Sequence, residues 1–86
     1  MLKASLSTQA IEDMVYFAKS QPKLLSKIAN LLESISKNPF EGIGKPEPLK
    51  YDFEGCWSRR IDQEHRLIYF VEDNTINIIS FRGYYQ

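Results

Sequence analysis

Residues 39–70 read PFEGIGKPEPLKYDFEGCWSRRIDQEHRLIYF, and this stretch decides the fold. Its first part carries Gly42, Gly44, Pro46 and Pro48, which set an extended, structured loop up to Pro48. After it the texture turns to β. Strands are expected near 49–53, 56–62, 66–72 and 75–82, separated by turns at Glu54-Gly55, Gln63-Glu64-His65 and Asp73-Asn74. Through this β material run Glu47, Lys50, Arg59, Arg60, Glu64, His65 and Arg66. Charges of both signs threaded through strands are a poor way to build a small core. They are a sensible way to build a site that moves protons beside a phosphate.

Upstream, Leu2, Ala4 and Leu6 alternate with Lys3, Ser5 and Ser7, which predicts a short first strand. Ser7 is a good N-cap for a helix over about 8–20, in which Ile11, Met14, Val15 and Ala18 recur at helical spacing. Gln21-Pro22 interrupts it, and Pro22 suits the first turn of a second helix. Leu24, Leu25, Ile28, Leu31, Leu32 and Ile35 give that helix a broad apolar stripe, and Asn38-Pro39 stops it after Lys37. The stripes read as core and dimer surface. The order is strand, helical hairpin, then antiparallel meander: an α+β fold with helices on one sheet face.

The chain has 86 residues, which is one domain (1–86) with one modest core, and a homodimer would cover apolar surface that the monomer leaves open. No apolar run approaches the roughly 20 residues that cross a bilayer, and the N-terminal residues do not read as a signal peptide, so a cytoplasmic location without membrane attachment is expected. One cysteine, Cys56, allows neither an internal disulfide nor a cysteine-based metal site and reads as packing rather than nucleophile. The 11 basic and 11 acidic residues cancel, so any handling of RNA rests on local clusters of cations.

Strand alternation puts Cys56, Ser58, Arg60 and Asp62 on one face, opposite Trp57, Arg59 and Ile61. It groups Arg66 with Ile68 and Phe70, and Arg82 with Ile76, Ile78 and Ser80. The open face could therefore gather Arg60, Arg66 and Arg82 in a shallow basin. The alternative is that each arginine pairs separately with Glu64, Asp62 or Glu72 as solvated surface.

The run PFEGxGKPEPLK…GxWSRRI…EHRLxY within these residues resembles the YoeB/Txe family of bacterial toxin endoribonucleases, relatives of RelE. The resemblance implies a RelE-like microbial RNase fold with one N-terminal strand, two helices and a four-strand antiparallel meander. It implies a toxin of a toxin–antitoxin pair that cleaves mRNA on the ribosome without metal or other cofactor. It also implies a YefM/Axe-like antitoxin with a disordered segment that folds on the toxin, and operator DNA reached only through that antitoxin.

Carried over by position, Glu47 falls on the family's general base, between two prolines that restrict its backbone. Arg66 falls on the arginine that stabilises the scissile phosphate. Lys50 and Arg60 match further cations of the site, and Arg82 is the arginine that precedes the C-terminal motif. Glu64 matches an acid that orients the arginines. Arg59 and Lys45 are weaker candidates for contacts with RNA backbone, and His65 reads as a structural turn residue. The departure lies at the end, Arg82-Gly83-Tyr84-Tyr85-Gln86. Tyr84 stands where the family has its acid histidine, Tyr85 matches the family's terminal tyrosine, and Gln86 extends one residue beyond the usual end. A tyrosine with a pKa near 10 is a slower acid than a histidine near 6.5. The competing reading is thus a catalytically weak module that binds ribosome and antitoxin.

Overall fold

The computed structural model describes residues 2–83. Strand β1 (Lys3–Leu6) leads to helices α1 (Thr8–Ser20) and α2 (Lys23–Lys37). After a loop come β2 (Glu47–Pro48), a single 3-10 turn (Tyr51–Phe53), β3 (Trp57–Arg60), β4 (Arg66–Glu72) and β5 (Thr75–Ser80). The five strands form one sheet in the order β1-β5-β4-β3-β2. β2 to β5 make the antiparallel meander, and β1 joins parallel to β5.

Local chemistry explains the boundaries. Ser7 Oγ caps α1 by accepting from the Ala10 N–H, and it also donates to the Ile79 carbonyl, tying the helix start to the sheet. Asn38, held extended by the following proline, ends α2. Asp73 and Asn74 both take positive φ, as a tight hairpin turn requires between Glu72 and Thr75. The Asp62 carboxylate accepts from the N–H groups of Glu64 and His65 and so folds the connection from β3 to β4.

The core lies between the helices and one sheet face, and includes Phe17, Ile28, Leu31, Ile35, Leu67, Tyr69, Ile76, Ile78 and Phe81. α2 buries Ile28, Leu31 and Ile35 as its stripe predicts. α1 differs from expectation. It turns Ala10, Asp13 and Phe17 inward and leaves Ile11 and Val15 about half exposed. The reason is that the Asp13 carboxylate finds backbone N–H donors inside, and the Phe17 ring packs edge-on against His65.

Two strands also differ from the sequence reading. β2 sits at Glu47–Pro48 rather than 49–53, because Leu49 N–H closes on the Cys56 carbonyl and the chain then coils into the 3-10 turn. β5 ends at Ser80, with a bulge: Ile68 pairs with Ser80 but Tyr69 with Ile78, so Ile79 is the extra residue. The bulge breaks simple alternation. Ile76 and Ile78 join the helix-side core, and Ser80 lies opposite Ile68, away from them in register.

The loop before β2 is built around a buried cation. Arg59 is wholly buried, and its guanidinium makes five hydrogen bonds. Nε donates to the Tyr69 hydroxyl (3.1 Å), Nη1 to Ser34 Oγ and the Ile43 carbonyl (2.9 Å each), and Nη2 to the carbonyls of Asn38 (2.8 Å) and Glu41 (3.1 Å). Gly42 follows from this: at φ 132 a Cβ would lie 2.3 Å from Ser34 Oγ and 3.0 Å from Arg59 Nη1. Tyr69 in turn donates to the Pro39 carbonyl.

Burial pushes the Tyr69 phenol above its usual value of 10.0, with Arg59 pulling the other way. The folded state therefore keeps this proton longer than the unfolded chain does. The resulting stability is complete below about pH 10 and is lost as pH rises through the folded value. The melting temperature of the parent should fall more steeply above about pH 10 than that of Tyr69→Phe. Equal slopes in the two proteins would refute this.

Candidate active site

Register assembles the site on the sheet face away from the helices. Glu47 on β2 pairs with Ser58 on β3, Arg60 lies two residues further along β3, and Arg60 pairs with Arg66 on β4. Cross-strand partners and i, i+2 neighbours share a face, so these four side chains converge. Arg66 Nη1 donates to Glu47 Oε2 and to Ser58 Oγ, each at 3.2 Å. The Arg66 side chain is 9% exposed and that of Glu47 62% exposed, so a fixed cation meets an accessible carboxylate. Two arginines directly opposite each other repel, which favours an anion at this face. Pro46 and Pro48 restrict the backbone on either side of Glu47, and an edge strand tolerates their missing donors.

Ser58 was missed as a site residue, although alternation had already placed it beside Arg60. It is wholly buried and holds Arg66 Nη1 in place. Lys50 follows β2 and is exposed. Lys45 and Arg60 line an open groove of about 320 Å³ together with Lys27, Gly44 and Asp62, a cationic extension of the site toward α2.

Three expectations need correction. Arg59 does not reach solvent: its donors are committed to Ser34 on α2, to the loop carbonyls and to Tyr69, so it cannot contact RNA backbone. Arg82 leaves the basin, because the chain beyond the β5 bulge turns toward α1 and lays the guanidinium 3.6 Å from the centroid of the Tyr16 ring. Glu64 is 78% exposed and places Oε2 3.5 Å from His65 Nε2, so its contact is with the histidine rather than with an arginine. Cys56 is half-buried, and burial pushes its thiol up, away from nucleophilic character. Tyr84 and Tyr85 lie outside the described residues.

The segment that leads to them is held tightly. Asp13 Oδ2 accepts from the N–H groups of Phe81 (2.9 Å) and Arg82 (3.1 Å). His65 Nδ1 accepts from the Gly83 N–H (3.0 Å), and the Gly83 carbonyl accepts from the Arg66 N–H (3.0 Å). Asp13 escaped the sequence reading because it looked like the polar side of α1. The available signal was its spacing, three residues after Ala10 and four before Phe17.

Comparison with known proteins agrees with this fold. Residues 6–85 match the model of the YoeB-like toxin of bacterial type II toxin–antitoxin systems. A Synechocystis protein named Toxin YoeB is 45% identical over 85 residues, covering 99% of each chain. The toxin fold in a YoeB–YefM complex from Staphylococcus aureus aligns with a TM-score of 0.88 at 49% identity over 99% of each chain. A YoeB dimer from Staphylococcus aureus aligns with a TM-score of 0.89 at 49% identity over 98% of each. With a matched span that takes in the Glu47–Arg66 pair and nearly all of the sheet that presents it, this chain belongs to the family of YoeB-like toxins of bacterial type II toxin–antitoxin systems.

Proposed function

We propose that this toxin is an endoribonuclease that cleaves mRNA on the ribosome. The observation that carries the reading is the Glu47–Arg66 pair: an exposed carboxylate held beside a buried guanidinium on an open, cationic sheet face. The scissile phosphate docks on Arg66, with Arg60 and Lys50 neutralising its oxygens and flanking phosphates. Glu47 takes the proton from the RNA 2′-hydroxyl, and the 2′-oxygen forms a bond to phosphorus. The bond from phosphorus to the 5′-oxygen breaks, and that oxygen gains a proton from Tyr84, from water or from a group on the ribosome. The products are a 2′,3′-cyclic phosphate and a 5′-hydroxyl. Because the substrate supplies its own nucleophile, no metal-activated water is needed.

Lys45 and Lys27 in the adjoining groove extend the cationic track for RNA backbone. A YefM-like antitoxin, by analogy with the YoeB–YefM complex from Staphylococcus aureus, binds this toxin; in this reading it covers the site when the toxin is silent and reaches operator DNA for the pair. A homodimer fits the half-exposed Ile11 and Val15 on α1.

Tyr84 in the acid position favours a second reading, a module that binds ribosome and antitoxin but turns over slowly. Cleavage of mRNA on programmed ribosomes separates the two. The parent should cleave, Glu47→Ala should not, and Tyr84→His should raise the rate at least about tenfold. Cleavage by Tyr84→His alone favours the binding module. A parent that cleaves well and is indifferent to Glu47→Ala would overturn the mechanism.

A further inference from the structure

We infer that Asp13 and His65 are positioning residues: together they clamp Phe81–Gly83 in one fixed place against the strand that carries Arg66. The inference rests on the nuclease reading for its consequence, but the clamp itself is a matter of geometry. A chain terminus normally frays unless something ties it down. Here three consecutive residues are tied by four hydrogen bonds and one cation–ring contact. The Asp13 carboxylate, 2% exposed, takes the N–H groups of Phe81 and Arg82 and is itself oriented by the Gln9 amide at 2.8 Å. The Arg82 guanidinium stacks on Tyr16, one turn further along the same helix. His65, 3% exposed, accepts the Gly83 N–H on Nδ1. The N–H of Arg66, the residue whose side chain meets Glu47, donates to the Gly83 carbonyl.

This arrangement is more specific than packing requires. A buried carboxylate facing two backbone N–H groups sits at a helix position where an apolar residue would fill the same space. His65 must present an unprotonated Nδ1 to accept from Gly83, which assigns its proton to Nε2, the nitrogen nearest Glu64. Gly83 itself takes φ 105, a conformation that side-chain-bearing residues rarely adopt, so the chain turns sharply just before Tyr84. The last clamped atom belongs to Arg66's own hydrogen bond. The clamp therefore references the tail to the same strand that holds the phosphate-binding arginine.

Two substitutions at His65 distinguish positioning from packing, because they rank in opposite orders under the two roles. His65→Phe keeps an aromatic ring against Phe17 but removes the acceptor, whereas His65→Asn keeps an acceptor near the Nδ1 position and removes the ring. In the full-length protein, amide hydrogen exchange of Gly83 should be tenfold or more faster in His65→Phe than in the parent, and intermediate in His65→Asn. On programmed ribosomes, single-turnover cleavage should fall about 10–100-fold in His65→Phe while ribosome affinity stays within about twofold, and His65→Asn should recover part of the rate. Asp13→Asn, a weaker acceptor, should shift the Phe81 and Arg82 exchange in the same sense. The inference is overturned if His65→Phe keeps Gly83 protection, or if it loses protection and cleaves at the parental rate. It is also overturned if His65→Asn is the worse of the two. Should neither the parent nor Tyr84→His cleave at all, the nuclease reading fails, and with it the clamp's role, while the exchange data still report whether the clamp exists.

Discussion

Replacing Arg59 with methionine should cost about 3–5 kcal/mol of folding stability, a large share of the whole. For a chain of 86 residues the total is roughly 4–13 kcal/mol. A buried ion is often dispensable when both partners can be exchanged for apolar groups, but here that route is closed. Three of the five acceptors are backbone carbonyls, from Asn38, Glu41 and Ile43, and no substitution removes them. Each buried acceptor left without a donor costs about 1–3 kcal/mol, less where water can enter. Those acceptors line a part-buried loop, so partial rehydration brings the sum down to the stated range. Arg59→Lys supplies three donors in place of five and should fall between parent and Arg59→Met. Urea denaturation measures all three. A loss below about 1 kcal/mol in Arg59→Met would show that the loop closes without its cation.

The consequence reaches the site. Gly44 accepts the Arg60 N–H, so the loop that Arg59 folds is also the loop that delivers Glu47 to β2. Arg59→Lys should therefore lose cleavage out of proportion to its stability at temperatures where it remains folded.

How much of this was legible beforehand depended on which interactions are local. The helix ends at Ser7 and Pro39, the turn at Asp73-Asn74 and the meander follow from neighbouring residues, and they appear as expected. Glu47 and Arg66 meet because two strand registers bring them together, and only the motif, not the spacing, pointed to that. Arg59 and Arg60 are adjacent in sequence, and alternation correctly sent them to opposite faces. What alternation could not convey was that the helix-facing one would find carbonyls instead of solvent. Arg82 was misplaced because β5 ends at Ser80 and the chain beyond it is drawn to α1, where Asp13 takes the Arg82 N–H and Tyr16 the guanidinium, so strand alternation no longer sets its facing. Asp13 depends on contacts 68 and 69 residues away along the chain, a separation at which sequence pattern carries no signal.

The second large effect concerns the pair itself. Glu47→Ala should lower cleavage on ribosomes by about 10²–10⁴-fold, the usual worth of a general base. Arg66→Ala should lower it by about 10²–10³-fold, the usual worth of a positioned donor to transition-state charge. The two variants differ in what they do to the fold. Glu47 is 62% exposed, and an exposed ion pair contributes within about 1 kcal/mol, so Glu47→Ala should melt near the parent and its lost activity is chemical. Arg66 is nearly buried against Ser58, so Arg66→Ala carries a stability loss as well, and Arg66→Lys is the better probe. Lysine keeps the charge but offers a point donor in place of a planar fork, and it should remain at least about tenfold below the parent. Because base and phosphate holder act on one transition state, Glu47→Ala combined with Arg66→Lys should lose far less than the product of the single losses. Full multiplicativity would mean that the two residues act independently, and the 3.2 Å contact between them would then be an ordinary surface ion pair.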